Sequence, residues 1–483
     1  MECDSALQQA IYDILRIQIE SGTYCHMDKL PAIEEAAGYF FVAVDTVRAV
    51  YLRLKQAGYI CLSKNVGARV IVQYDPTQMT PFLQTYFASR KDALIDLSTA
   101  LGPLFTHAQC IGLKNASSET LLRMECLSQT HGKPQPPYAI WQCLEQKFAG
   151  LGNKLIIRLA RQVYLFLYAP FFSINGSGQY WEHAESYVCD IIGFCRQNAW
   201  QKLDEKVNGA HDTLSAAVRQ FLQEKITMQS VQSVPFRWDA YRKASQLCYS
   251  LATEILVDIN RGIYPAGSYL PSAAQLSEKK GVSVSTVRRT VSLLGSIGAV
   301  KSSRPRGACV LPFDESLKNC DLTQTVIQRQ LLGMLESLQI FALTCREVTE
   351  RTLSALDLDS RCQWIQELEK IKGFQHFEVI GYCILELLAK WAPYQAIRVV
   401  YSELLPLLFW GYPLRGIKGD QGMVNAAYAP YIDKLIGYLE TGNILRFSAK
   451  LEMFMLWELR EKAECLAGLG IPGADGVLIP EGR

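Results

Sequence analysis

The sequence contains one segment twice, and this repeat limits what the chain can fold into. Residues 5–70 align without a gap on residues 245–310, at a constant offset of 240. Unrelated segments would not share so many glycines, prolines and apolar residues in register. The matched pairs include Gly22/Gly262, Tyr24/Tyr264, Leu30/Leu270, Pro31/Pro271, Val47/Val287, Leu54/Leu294, Gly58/Gly298 and Gly67/Gly307. The chain therefore carries one domain in two copies, here named copy one and copy two.

Each copy has the pattern of three helices followed by a two-stranded hairpin. In copy one, apolar residues recur at helical spacing over 10–20, and Gly22 ends this helix. Pro31 begins a second helix, and a third runs over 43–57. Two short strands then flank Gly67. In copy two the matching helices are predicted over Leu247–Asn260, Pro271–Lys280 and Val284–Ser296. This order of elements predicts a winged helix-turn-helix.

Two long segments outside the repeats, about 80–230 and 318–466, have apolar residues at helical spacing and few strand-like runs. The expected fold is therefore mainly α, with tandem winged helix-turn-helix domains, each followed by an all-helical bundle. The predicted domains are a winged helix at 1–75, a helical effector or dimerisation domain at 76–232, a linker and second winged helix at 233–314, and a second helical domain at 315–483.

The composition is that of a globular chain without export features. Hydrophobic residues make up 49% and charged residues 20% of the chain, with a formal net charge of +2. The 15 cysteines include no C-x-x-C pair, and no apolar signal segment follows Met1. The apolar stretches Leu155–Phe172 and Val399–Tyr412 contain charged residues and are interpreted as buried helices rather than membrane spans. We therefore expect a cytoplasmic protein with free thiols.

The repeated unit resembles the DNA-binding domain of the GntR family of bacterial transcription regulators. Copy one carries Ser21-Gly22-Thr23-Tyr24 with Leu30-Pro31, and later Thr46-Val47-Arg48. Copy two is closer to the family pattern, with 261–267, Leu270-Pro271-Ser272 and 281–288. The resemblance implies a winged helix that binds double-stranded DNA and a function in transcription regulation.

The helical segments resemble the FadR-type effector domain of that family. Residues 148–153 are similar to a passage between two of its helices, and 183–211 to its last helices. In that family two histidines of these helices often bind a metal, so His183 and His211 are candidates for contact with a small-molecule effector or a divalent metal. Histidines at such positions are more often ordinary helix residues than ligands, and this is the alternative interpretation of both. Leu144 stands where a further ligand histidine is expected, so no metal is established by the sequence.

The resemblance also places the residues that would contact DNA, because the third helix of such a domain enters the major groove with its N-terminal side chains facing the bases. The wing approaches phosphates or the minor groove. The candidates in copy two are Ser283, Ser285, Thr286, Arg288, Arg289, Arg304, Arg306 and Gly307, and those in copy one are Thr46, Arg48, Lys64 and Arg69. Lys64 and Arg69 are also interpreted as plain wing charges.

Charge separates the two copies. Residues 240–312 hold ten basic and three acidic side chains, a net charge of +7, whereas residues 1–75 hold seven and nine, a net charge of −2. Phosphate contacts supply most non-specific affinity for DNA, so copy two is expected to be the better reader. Asp45 stands where copy two has Ser285, and its carboxylate would repel phosphate. Glu34 and Ala274 replace an arginine usual in the family, which predicts altered base specificity.

Two functions remain open. The first is a regulator whose small-molecule effector, bound in a helical domain, changes the arrangement of the winged helices. Such a chain would act as a pseudo-symmetric monomer or as a homodimer. The second is a docking protein whose degenerate copy one modulates another regulator. An enzyme is not expected, because the helical segments are too short for the aminotransferase-like domain of some relatives. The aromatic group at 141–172 is interpreted as core, with an effector pocket as the alternative.

Overall fold

The computed structural model describes residues 2–63, 67–128, 137–180, 184–230, 232–240, 243–260, 262–303, 306–312, 315–374 and 377–482. The fold is mainly α, as predicted. The helices are α1 Glu2–Glu20, α2 Ile33–Phe40, α3 Val44–Gln56, α4 Pro81–Lys114, α5 Ser118–Ser128, α6 Pro137–Ala149, α7 Lys154–Val163, α8 Ala169–Phe172, α9 Ala184–Arg196, α10 Trp200–Lys225, α11 Lys243–Asn260, α12 Ala273–Lys280, α13 Val284–Ser296, α14 Thr325–Ala355, α15 Leu358–Phe374, α16 Ile380–Trp391, α17 Gln395–Leu408, α18 Gln421–Glu440 and α19 Ile444–Gly468. The strands are β1 Ile60–Ser63, β2 Gly67–Val70, β3 Val300–Ser303 and β4 Gly307–Val310.

Shorter helical turns connect some of these elements. A π-helical segment, Tyr164–Tyr168, joins α7 to α8, so the chain is helical without a break from Lys154 to Phe172. Turns of 3₁₀ type lie at Ser177–Tyr180, Leu317–Asn319, Phe377–Val379 and Phe409–Lys418.

The two winged-helix domains repeat each other element for element. In each, three helices precede an antiparallel hairpin, with Ile60 paired to Val70 in copy one and Val300 to Val310 in copy two. The second and third helices and both strands begin and end at positions that differ by 240. The core residues Val47 and Val287 are fully buried at matching positions of the third helices. The residues that align in the sequence at an offset of 240 therefore also occupy equivalent positions in the two folded domains.

The helix ends of copy two are closed by side chains that copy one lacks. Ser272 begins α12 with a capping box, in which its hydroxyl accepts from the Gln275 amide and the Gln275 side chain accepts from the Ser272 amide. In copy one Ala32 takes this position, and only the returning bond from its amide to Glu35 is present. Copy two thus follows the helix-start rules more closely.

The chain divides into two compact units, residues 1–151, 157–237 and 394–396, and residues 152–156, 238–393 and 397–483. In the first, α4 packs along α10, and Phe87 meets Phe221 edge to face at 5.1 Å. In the second, α14 packs along α19. Thr80 caps α4 by accepting from the amide of Leu83, one residue before Pro81 sets the first turn. The four-domain division remains a prediction.

One described segment, Lys154–Phe172, is long and apolar enough to cross a membrane by length and composition. Of its apolar window, 67% is buried inside the protein. Burial to this extent is typical of a core helix, and Leu155, Leu159 and Tyr164 are among its buried residues. The described cysteines whose side chains are placed are free thiols.

Candidate nucleic-acid interface

Helix α13 presents a polar, basic face at its N-terminal end. Ser283, Ser285, Arg288 and Arg289 are exposed, and Thr286 is half-buried. Val287 and Thr290, on the opposite side, are buried against the rest of copy two, and the Thr290 hydroxyl donates to the carbonyl oxygen of Cys248 at 3.2 Å. The apolar side of the helix therefore anchors it, and the side that the sequence predicts for DNA faces solvent.

A serine cluster organises the start of α13. The hydroxyl of Ser283 accepts from the amide of Thr286 at 3.1 Å, which makes it the N-cap. The same hydroxyl lies 2.8 Å from each of the hydroxyls of Ser285 and Thr286. Small hydroxyls let a helix start approach a nucleic acid closely, and the positive end of the helix dipole favours a phosphate there.

The wing of copy two is described in part. Arg306 is exposed at the end of the hairpin turn, and Gly307 adopts a positive φ of 102° at the start of β4. This φ suits a glycine, since a side chain would be strained there. Arg304 lies outside the described residues. In copy one, Arg69 lies half-buried on β2 opposite Cys61, and Lys64 falls outside the described part of the chain.

Helix α3 of copy one differs from α13 at the positions predicted to read DNA. Its N-cap is Ala43, which has no side chain to close the helix. Arg48 donates to the carboxylate of Asp45, three residues earlier on the exposed surface. Thr46 is half-buried. The one arginine of this helix start is therefore paired with a carboxylate, whereas no acidic residue occurs in α13.

Copy one also contacts the helical segment that follows it through hydrogen bonds and ring packing. A single guanidinium nitrogen of Arg161 donates to the carbonyl oxygens of Phe40 and Phe41, at 2.6 and 2.8 Å. The Phe41 ring packs edge to face on Trp141, with ring centroids 6.1 Å apart. Both contacts hold the turn between α2 and α3, which sets the position of α3.

A second set of hydrogen bonds lies just after the end of α1. The hydroxyls of Ser21 and Thr23 both donate to the carbonyl oxygen of Ser173, at 2.9 and 2.8 Å. The matching residues of copy two are Arg261 and Ile263, of which Ile263 is 56% exposed. These two hydrogen bonds to Ser173 therefore depend on side chains that are present in copy one and absent from copy two.

His211, a predicted effector or metal residue, is buried on α10 and bonded through both ring nitrogens. Nδ1 lies 2.9 Å from the Thr106 hydroxyl, and Nε2 lies 3.3 Å from the Gln109 side-chain nitrogen. Burial, with a smaller contribution from the charge of Lys147, lowers the pKa of His211 to about 3. The imidazole is therefore neutral at physiological pH. His183 lies outside the described residues.

Lys147 on α6 is the neighbouring cation, and it is only 5% exposed. Its ammonium donates to the hydroxyl of Tyr187 at 3.0 Å and lies 4.5 Å from the centre of that ring. Burial lowers the pKa of Lys147 to about 8. Within the described residues no carboxylate forms an ion pair with it. Helix α6 reaches this depth because Gly112 of α4 has no Cβ, which would lie 2.2 Å from the Lys147 carbonyl oxygen.

The buried Lys147 ammonium near His211 favours an anion over a metal cation. Gln109 Oε1, which is buried without a hydrogen-bond partner among the described residues, is an acceptor and would contact only a donor group. In the described part of the chain, no group of three or more histidine, cysteine or acidic side chains is placed to hold a metal ion. The sequence pointed to His211 through family resemblance. Lys147 and Arg161 were missed, because a lone lysine or arginine in a helix has no pattern that predicts burial.

The aromatic group of the first helical domain lies mostly in the core. Trp141, Tyr164 and Phe171 are each 2% exposed. Trp141 lies 5.5 Å from Tyr164 between ring centroids, and Phe171 packs on Phe221 at 5.6 Å. This arrangement agrees with the interpretation of the group as packing residues. Trp141 Nε1 and the Tyr164 hydroxyl nevertheless have no hydrogen-bond partner within the part of the chain that the structure describes.

The fold defines the class of the two repeated domains, which are winged helices. The family model described as bacterial regulatory proteins, gntR family, matches residues 7–70 and 249–310. Both winged-helix domains belong to that family, and the duplication is confirmed. No curated protein matches the chain.

Several solved structures match about half of the chain at low identity. Streptococcus agalactiae GntR is 15% identical over 44% of this chain and 99% of its own, with a TM-score of 0.19. The structure described as "Lar controls the expression of the Listeria monocytogenes agr system and mediates virulence" is 14% identical over 46% and 98%, with a TM-score of 0.21. A GntR-family transcriptional regulator from Pseudomonas syringae pv. tomato str. DC3000 is 16% identical over 47% and 90%, with a TM-score of 0.20. The family assignment of the two domains rests on the family model.

Proposed function

We propose that the chain is a DNA-binding regulator in which copy two reads double-stranded DNA and a small molecule in a helical domain controls that reading. The observation that carries the DNA half is the exposed start of α13, with its serine cluster and the pair Arg288 and Arg289. Small hydroxyls beside two arginines match the chemistry of base edges and phosphates. The net charge of +7 over copy two supplies the attraction.

Copy one contributes less to DNA binding in this proposal. Its helix start pairs Arg48 with Asp45, so a phosphate would have to compete with a carboxylate already in place. Its net charge of −2 adds repulsion. An operator read by one chain is then asymmetric, with a strong half-site for copy two and a weak one for copy one.

The effector half is supported by the buried polar set of the first helical domain. An ammonium kept out of water without a carboxylate partner is costly, and a bound anion would offset that cost. Lys147 and Tyr187 offer hydrogen-bond donors to the carboxylate of a small acid, whereas the acceptor Gln109 Oε1 would take a hydroxyl or amide donor elsewhere on the same molecule. Titration with a panel of short carboxylates tests this: at least one raises the melting temperature of the wild type and leaves Lys147→Met unchanged.

The DNA half is tested by enriching fragments of the source genome on the intact protein at two salt concentrations. We expect selective enrichment with affinity that falls steeply as salt rises. Enrichment that is lost in Arg288→Ala/Arg289→Ala and kept in Arg48→Ala assigns the reading to copy two. Weak, salt-insensitive binding without enrichment contradicts the proposal.

One set of contacts favours a second candidate, a docking function for copy one. Arg161 and Trp141 hold the turn before α3, and the hydroxyls of Ser21 and Thr23 hold the end of α1. A winged helix fixed in this way presents a rigid surface that a protein partner would recognise. Cross-linking from an exposed position such as Leu52, 47% exposed on α3, tests it by capturing one defined partner in place of DNA.

A further inference from the structure

A cavity of about 730 Å³ lies within the second unit, between copy two and the helical domain that follows it. One wall is formed by copy two, from Val257 and Ile259 near the end of α11, Pro265 and Ala266 in the next turn, and Val310 of β4. The opposite wall comes from α14, α15, α16, α18 and α19. The volume lies in the range of pockets that enclose a small molecule, and such pockets are common between domains.

The same face of copy one is closed, which makes the cavity a distinguishing feature of copy two. Ile17 and Ile19 of copy one are 0% and 1% exposed. Their counterparts, Val257 and Ile259, are half-buried and line the cavity. Thr23, which donates a hydrogen bond to Ser173 in copy one, is replaced in copy two by the exposed Ile263. The two domains share a fold, but copy two leaves this apolar face open.

The cavity lining is apolar and aromatic with an excess of carboxylates. The rings of Tyr382 and Phe409 meet edge to face at 4.7 Å, and Tyr428 and Phe454 line the wall with them. Four glutamates and two lysines line the cavity: Glu367, Glu378, Glu386, Glu458, Lys370 and Lys462. Lys370 is already paired with Glu367 at 2.7 Å. The remaining charged residues of the lining are three glutamates and one lysine, and two of these glutamates accept neutral hydrogen bonds, Glu458 from the Tyr428 hydroxyl and Glu378 from Gln421.

An unsatisfied acceptor lies beside one of these carboxylates. The Gln421 side-chain nitrogen donates to Glu378 at 3.0 Å and to Asn425 at 2.9 Å. Its oxygen, Oε1, is buried without a hydrogen-bond partner among the described residues, and Gln421 itself does not line the cavity. The Glu378 carboxylate does line it, and it suits a ligand group that donates hydrogen bonds and carries positive charge. Aromatic faces nearby stabilise a cation further.

We propose that this cavity binds a small amphipathic amine, with its apolar body against the aromatic wall and its ammonium among the glutamates. Because the walls belong to copy two and to the helical bundle, a bound amine contacts both and favours the arrangement in which both walls are in place. Occupancy therefore shifts the population of positions open to α13. This regulatory consequence rests on the proposed DNA-binding function, whereas the binding of the amine does not.

The binding experiment uses octylamine, with octanoate as a probe of equal chain length and opposite charge. Calorimetric titration of the intact protein is expected to show octylamine binding about tenfold tighter than octanoate or more. Glu386→Gln and Glu458→Gln remove charge at nearly constant volume and should each weaken octylamine binding about threefold to tenfold. Glu464→Gln, exposed on α19 and outside the cavity lining, is the matched control and should bind as the wild type does.

A second pair of variants tests the place of binding. Ala266→Trp puts a large ring into the cavity from an exposed loop, so it should fold normally and weaken octylamine binding about tenfold. His26→Trp introduces the same ring at the exposed matching position of copy one and should leave octylamine binding unchanged. Absence of octylamine binding, equal binding of octanoate, or unchanged binding in Ala266→Trp overturns the proposal.

A separate experiment measures the effect of octylamine on DNA binding. Octylamine at saturation should change the affinity of the wild type for an enriched duplex at least about threefold and leave Ala266→Trp unaffected. Octylamine binding with no DNA binding at all would retain the site and contradict the proposed function. Octylamine binding with unchanged DNA affinity would overturn the regulatory part of the inference.

Discussion

Phe41 and Gly281 hold the same position of the two winged-helix domains, and both have a left-handed backbone, with φ of 51° and 65°. Glycine adopts this conformation without cost, whereas a phenylalanine is strained in it. The strain at Phe41 is offset by the Arg161 hydrogen bonds to Phe40 and Phe41 and by the packing of the ring on Trp141. The residue that differs between the copies, phenylalanine in place of glycine, is therefore the one through which the α2–α3 turn of copy one contacts Arg161 and Trp141.

Removing Arg161 should loosen this turn. In Arg161→Met, the amides of Phe41 and Val42, which bond to Gly38 and Ala37, should exchange about tenfold faster, because a charge-assisted hydrogen bond contributes about 1.5–3 kcal/mol. Hydrogen-exchange mass spectrometry measures this. The matching bond of copy two, from Val282 to Ser277, is the internal control. Unchanged exchange at Phe41 would show that Arg161 does not hold the turn.

The N-caps of α3 and α13 give a reciprocal pair of substitutions. Ser283→Ala should lower the local stability of α13 by about 1 kcal/mol, because the Thr286 amide loses its acceptor. Ala43→Ser should raise the stability of α3 by about 0.5–1 kcal/mol, because α3 has no side-chain cap. Amide exchange in the first turn of each helix reports both changes. Opposite signs are expected, and a loss in both variants would contradict the account.

The sequence predicted the winged-helix domains well because their signals are local. Gly22, Pro31, Gly58 and Gly67 fix turns through their own backbone preferences, and the offset of 240 repeats them. What it could not predict are contacts between distant residues. Neither the Arg161 bonds, which join residues 120 apart, nor the burial of Lys147 leaves a periodic pattern in the chain.

The candidate positions divide in the same way. The exposure of Ser283, Arg288 and Arg289 was predictable because the third helix of a winged helix has a known exposed side, and their contact with DNA stays a prediction. The cavity beside Val257 was not, because an open face and a buried face need the same apolar residues. Only the packing of the helices that follow each copy decides whether this apolar face of the winged helix is buried or lines a cavity.

His211 should make stability depend on pH. In the folded protein its pKa is about 3, below the value of about 6.5 in an unfolded chain, so below pH 6.5 the unfolded chain takes up a proton that the folded protein does not. The free energy of unfolding should fall by about 1.4 kcal/mol per pH unit between about pH 6 and 4.

Denaturant unfolding of wild type and His211→Gln at several pH values measures this contribution. The variant should be less stable at pH 7 and should show a shallower decline, since the hydrogen bond to Thr106 and the titration are lost together. His26→Gln, at an exposed histidine, is the control. Parallel curves for His211→Gln and wild type would contradict the burial of a neutral imidazole.

Lys147 should destabilise the ligand-free protein. Lys147→Met, similar in volume, should raise the free energy of unfolding at pH 7 by about 1–3 kcal/mol, because none of the described carboxylates pairs with the buried ammonium. In the wild type, stability should rise between about pH 8 and 10.5, where the folded protein releases a proton that the unfolded chain retains. Lys202→Met, on the exposed side of α10, is the control. A loss of stability in Lys147→Met would indicate a partner for the ammonium.

The central claim is that copy two reads DNA and copy one does so weakly. The most direct measurement is the affinity of the intact protein for an enriched duplex as a function of salt, in the wild type, Arg288→Ala/Arg289→Ala and Arg48→Ala. We predict that the α13 double variant loses about 1–3 kcal/mol or more of binding free energy and that the salt slope falls by about one per lost phosphate contact. Arg48→Ala should lose less in both. An equal or greater loss in Arg48→Ala, or unchanged binding in the double variant, would contradict the claim.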